Sequence, residues 1–154
     1  MTIRAEVYRN HYRTVVEERL GLPVSDSDLG LRVQFDSGLK VVIEDGHAAR
    51  DPEFLCVTAI FGKDDLDEHQ LQAVVGRVSS RIKMVKAVVR GECITLHAQA
   101  VNSAPDTLPP AEHLVATLPR VFSALEAGAN ALHEELVFIK HAAELGDIDL
   151  TEEA

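Results

Sequence analysis

Cysteine is scarce in this chain. Cys56 and Cys93 are its only two, too few for a disulfide scaffold and without a partner at metal-ligand spacing, so both are expected as free thiols. Long apolar runs are also missing: nothing approaches the roughly 20 consecutive residues that a membrane-spanning helix needs. The first residues contain no signal-peptide h-region, and a cytoplasmic location without membrane contact is therefore expected. Basic residues thin out toward the C-terminus, where residues 105–154 hold 2 basic against 10 acidic side chains and account for most of the net charge of −10. Nucleic-acid binding needs a basic stripe that replaces counterions on phosphate, so this balance argues against it.

Catalytic signatures are missing as well. The seven histidines (His11, His47, His69, His97, His113, His133 and His141) form no HExxH, and no Cys/His cluster has zinc spacing. There is no GxSxG and no glycine loop of the kind that cradles phosphate. From this, no enzyme activity, no cofactor and no metal are expected. Repeats, low-complexity stretches and interdomain linkers are equally absent.

What remains is a chain of 154 residues with 46% apolar residues, enough for one domain that buries roughly two thirds of its unfolded surface. Residues 1–145 are expected to form it. The acidic end, 146–154, is expected to be a disordered tail.

The element pattern starts with a helix in "AEVYRNHYRTVVEERL", where Tyr8, Tyr12, Val15 and Val16 share a face and Gly21 offers a stop. In "LRVQFDSGLKVVIED" a loop of Asp36, Ser37 and Gly38 sets Phe35 opposite Leu39, Val33 opposite Val41 and Leu31 opposite Ile43, so every core pair is apolar. The run "FLCVTAIF" is apolar on both faces, and a central or doubly covered position is expected for it. Next, "DDLDEHQLQAVVGRVSSRI" reads as a helix with Asp65 and Glu68 as its capping box.

A second hairpin follows in "MVKAVVRGECITLHAQ". A two-residue turn at Gly91 and Glu92, with Gly first as type II′ prefers, pairs Val89 with Ile94, Ala87 with Leu96 and Val85 with Ala98. The opposite face carries Met84, Lys86, Val88, Arg90, Thr95 and His97. It is amphipathic where a plain solvent face would be polar, which suits a surface that binds a partner. The chain then closes with one long helical pattern from about Pro110 to Glu144, in which Leu136, Val137, Phe138 and Ile139 are apolar all around. These four are candidates for a dimer or partner contact.

The fold class is thus α+β, a two-layer α/β sandwich with an antiparallel sheet and the order α-β-β-β-α-β-β-α. That order, with "RGECITLHAQAV" feeding a long amphipathic helix, resembles the class I type III secretion chaperones and the YbjN-like proteins over about residues 3–140. A roadblock-type dimerisation fold is the alternative, though it has two strands before its middle helix. The resemblance implies a non-catalytic homodimer that binds segments of partner proteins on its surface. A competing possibility is a small-ligand or enzymatic site built from the loop residues Asp45, His47 and Asp51.

Overall fold

A computed structural model describes residues 4–153 of the chain, and side chains for residues 4–145. The expected tail at 146–154 lies outside the residues whose side chains are described. Helix α1 (Ala5–Thr14) continues into a π-helical turn (Val15–Arg19), in which the Leu20 amide donates to the Val15 carbonyl at 3.0 Å. Strands β1 (Val24–Asp26), β2 (Gly30–Gln34), β3 (Lys40–Glu44) and β4 (Phe54–Gly62) follow, then α2 (Glu68–Arg81), β5 (Val85–Arg90), β6 (Cys93–Val101) and α3 (Ala111–Glu153). The six strands make one antiparallel sheet in the order β1-β2-β3-β4-β6-β5.

Both hairpins adopt the register that their turns dictate. Leu31 faces Ile43, Val33 faces Val41, and the Phe35 amide donates to the Leu39 carbonyl at 2.9 Å. Across the second turn Val89 faces Ile94, Ala87 faces Leu96 and Val85 faces Ala98. Gly91 has φ 58° while Glu92 has no positive φ, the signature of a type II′ turn with Gly first. β4 lies between β3 and β6 inside the sheet, but among the described residues it is covered on one face only, so of the two expected positions the central one holds and double coverage does not.

Two details depart from the sequence-based expectation. β1, three residues long, precedes the first hairpin and pairs with β2, so four strands rather than three lead to α2. Such a short edge strand has no periodicity of its own to reveal it. The capping box of α2 is formed by Asp67 and Gln70, not Asp65 and Glu68: the Asp67 carboxylate accepts from the Gln70 amide at 2.8 Å, and the Gln70 side chain accepts from the Asp67 amide at 3.0 Å. Both pairs have the right spacing. Only the Asp67 frame puts buried Leu66 just before the cap and buried Leu71 at the fourth helical position, where the two can staple the helix start.

The helices cover one face of the sheet. Tyr8, Tyr12, Val15 and Val16 from the first helical segment, Leu71, Val74, Val75 and Val78 from α2, and Leu114, Leu118, Phe122, Leu125 and Leu132 from α3 join the inward residues of β2 to β6 in one core. Among the described residues, no helix packs on the opposite face. The candidate site lies on that open face.

Candidate functional site

Strand alternation sends Leu31, Val33, Val41, Ile43, Leu55, Val57, Ala59, Leu96 and Ala98 into the core, and their neighbours onto the open face. One row across that face runs Lys86, His97, Thr58, Val42, Arg32, Ser25 through successive strand pairs. The next includes Val88, Thr95 and Ile60. Exposed apolar groups stand among charged ones: Met84 is 54% and Ile60 48% exposed. Among the described strand residues the face also carries Arg32, Lys40, Lys86 and Arg90 against the single carboxylate Glu44, an excess of positive charge on a chain whose net charge is −10. At the β5 end lies a depression of about 350 Å³ lined by Met84, Lys86, Val88, Arg90, His97 and Gln99.

Four of the six residues expected to contact a partner are at least partly exposed: Met84, Lys86, Val88 and Arg90. Thr95 and His97 are buried, at 5% and 7% exposure, although no second layer covers them. They sit on β6, flanked by β4 and β5, and their neighbours' side chains close over them. His97 lines the depression.

Around His97 is a polar network spread over three strands. The Thr58 hydroxyl donates to Glu44 Oε2 at 2.5 Å, and the Cys56 thiol donates to the same oxygen at 3.0 Å. Thr58 Oγ1 also lies 3.0 Å from His97 Nδ1, while His97 Nε2 lies 2.8 Å from Thr95 Oγ1. Because the one Thr58 proton goes to the carboxylate, Nδ1 must carry a hydrogen and donate to Thr58. In the neutral ring Nε2 then accepts from Thr95. Protonation would turn that bond around and direct the Thr95 hydroxyl to the Val88 carbonyl, 3.5 Å away.

The electrostatics favour the neutral ring. Burial, with Arg90 next and Lys86 adding to it, holds the His97 pKa below its ordinary value against the opposing pull of Glu44. Burial pushes Glu44 upward, but hydrogen bonds from Cys56 and Thr58, helped by His97 and Arg90, prevail and keep its pKa below the usual range. Burial, together with the hydrogen bond to Glu44 and the carboxylate's charge, pushes the Cys56 thiol up to about 11.

Other expected residues are placed elsewhere. Leu136 and Ile139 pack partly against the core, whereas Val137 and Phe138 are each 54% exposed, with the Arg77 guanidinium 5.1 Å above the Phe138 ring. In the loop after β3, Asp45 is buried and accepts from Arg9 Nε at 2.5 Å. His47 Nε2 meets the Phe54 carbonyl at 2.7 Å and its ring stands edge-on to Tyr8 and Phe54. Asp51 is exposed, its amide bonded to the His47 carbonyl. These contacts tie the loop to the sheet. Arg77 and Arg81 of α2 are bonded to Glu134 and Glu135 of α3, whereas Lys86 and Arg90 of β5 stand on the open face.

Glu44, Thr58, Ile60, Arg32 and Lys40 were not singled out from the sequence, and Cys56 was read only as a free thiol. Their only local signal is the outward parity of β2, β3 and β4, which says which face they share but not which residues meet.

No protein-family model matches the sequence, and no curated protein matches it significantly. Among solved structures, the chain is similar to the crystal structure of YbjN from E. coli, described as a candidate transcription regulator, with a TM-score of 0.57 and 12% identity over 80% of this chain and 88% of that one. At this identity the likeness concerns the fold, and it supports a YbjN-like arrangement of the elements.

Proposed function

We propose that this chain is a non-catalytic, homodimeric protein-binding module that holds an extended or amphipathic segment of a partner protein, acidic at its flanks, on the open face of its sheet. The observation that carries this reading is the face itself. It has no covering layer among the described residues, it mixes Met84, Val88 and Ile60 with four cations, and it is hollowed beside β5. Methionine adapts its shape to varied apolar surfaces, and Lys86 and Arg90 favour carboxylates over other charged groups. The description of YbjN as a candidate transcription regulator is compatible with such a module if regulation runs through protein partners. Val137 and Phe138, exposed on α3, support a second copy as the dimer contact. A small-ligand site at Asp45, His47 and Asp51 has less support, since Asp45 and His47 are already engaged within the fold.

The test is a Met84→Ser, Val88→Ser double variant, shown by circular dichroism and light scattering to keep its fold and mass. A partner captured from cell extract by the wild-type chain is then titrated against both proteins at low and high salt. Two half-exposed apolar side chains are each worth about 1 kcal/mol when buried, so affinity should fall about 30-fold. Wild-type binding should also weaken with salt. Unchanged affinity in the double variant would remove the open face from consideration.

A further inference from the structure

We propose that Glu44, Cys56 and His97 form a binding site for one zinc-class divalent cation on the open face of the sheet. The three side chains come from β3, β4 and β6, and one ligand atom of each lies within 4.8 Å of the other two. Tetrahedral zinc, with bonds of about 2.0–2.3 Å, places neighbouring donors roughly 3.3–3.6 Å apart. Cys56 Sγ and Glu44 Oε2 are already 3.0 Å apart. Seating an ion therefore asks for side-chain movements of about 1 Å, within reach of small χ rotations and without displacement of the strands.

Thr58 Oγ1 marks the centre of the triad. It lies 2.5 Å from Glu44 Oε2, 3.0 Å from His97 Nδ1 and 3.8 Å from Cys56 Sγ, so a hydroxyl now bridges groups that an ion would bridge more strongly. Its rotation about χ1 clears the position or leaves it as a weak additional oxygen donor. The mix of sulfur, imidazole and carboxylate selects zinc over magnesium or calcium, which prefer oxygen ligands alone.

Charge supports a divalent ion. Loading breaks the Cys56 S–H bond and forms a metal–sulfur bond while the proton leaves to solvent; His97 gives up its Nδ1 hydrogen and takes one at Nε2, so that Nδ1 offers its lone pair to the ion and Nε2–H donates to Thr95 Oγ1, and no electrons change hands. Thiolate and carboxylate then cancel the dication with His97 neutral, so a half-buried site beside Lys86 and Arg90 ends with no net charge. His97 also lines the depression of about 350 Å³, which gives the ion an entry path and lets water or a partner's side chain complete its coordination. This inference does not rest on the partner-binding reading, and either can fail alone.

The experiment is a cobalt(II) titration of the full chain after treatment with a chelator. One equivalent should produce a near-ultraviolet thiolate-to-cobalt charge-transfer band with tetrahedral visible absorption, and zinc(II) should bleach both. Because one proton is released, the apparent Kd should fall about tenfold per pH unit. Cys56→Ser should abolish the charge-transfer band and Cys93→Ser should leave it intact, while Thr58→Ala, which clears the centre, should bind at least as tightly as wild type. Should Cys56→Ser fail to fold, Glu44→Gln and His97→Gln provide the second measurement, with an affinity loss of at least about tenfold expected for each. A wild-type chain that gives no charge-transfer band, or a band carried by Cys93, would overturn the proposal.

Discussion

Gly30 opens β2 opposite Glu44, and replacing it with alanine should loosen the sheet beside the candidate site. Its φ is 155°, and a Cβ built there would lie 2.0 Å from the Ile43 carbonyl oxygen and 2.9 Å from the carbonyl carbon. Carbon and oxygen approach to about 3.3 Å without strain, so β2 and β3 would have to separate by more than about 1 Å. A hydrogen bond stretched by that much is lost. Two ladder bonds at about 1 kcal/mol each, plus about 1–3 kcal/mol for a backbone conformation that suits only glycine, give a loss of roughly 3–5 kcal/mol. Against a total of about 5–15 kcal/mol this is severe. With an m-value of about 2 kcal/mol/M, the urea midpoint followed by far-ultraviolet circular dichroism should fall by about 1.5–2.5 M. Gly38→Ala is the control. Its φ is 91°, yet a Cβ there would meet nothing within 4 Å, so only the conformational cost of about 1–3 kcal/mol applies. Equal midpoint losses in the two variants would refute the argument from close strand approach.

Leu96 is fully buried and faces Ala87, so Leu96→Asp should cost about 3–5 kcal/mol as an unpaired buried charge; Val101→Asp on the same strand, at a position 70% exposed, should stay within about 0.5 kcal/mol. Thermal melts that ranked the two in reverse would contradict the register of β6. For pH, the folded state holds His97 below its ordinary 6.5, so below that value the unfolded chain binds the extra proton and stability must decline as pH falls. Glu44, also lowered in the folded state, adds a second decline in the same direction below its ordinary 4.5. Urea midpoints of wild type should drop more between about pH 7 and 5 than those of His97→Gln, and equal slopes would show that His97 is not the group responsible.

Much of the architecture was legible in the chain because its causes are local. The pairing of Val33 with Val41 follows from a turn a few residues long, and that of Ala87 with Leu96 from Gly91 at the head of a type II′ turn. A shift of one residue would have sent each apolar set to the wrong face, so pattern and turn had to agree. The doubly apolar composition of β4 fitted a central or a doubly covered place, and the strand order decided for the central one. Where two local signals competed, the sequence was insufficient: Asp65 and Asp67 both fit a capping box, and the burial of Leu66 against the domain decided between them. β1 exists because β2 offers it an edge. The candidate site was the least legible part, because its chemistry depends on contacts between strands far apart in the chain. Met84 to Arg90 could be assigned to an outer face by alternation alone. That His97 is buried, that Thr58 bridges it to Glu44, and that Cys56 faces the same carboxylate were decided only when β3, β4 and β6 came side by side. Glu44 and His97 are 53 positions apart in sequence, and no periodicity relates residues whose proximity is created by the order of strands in a sheet.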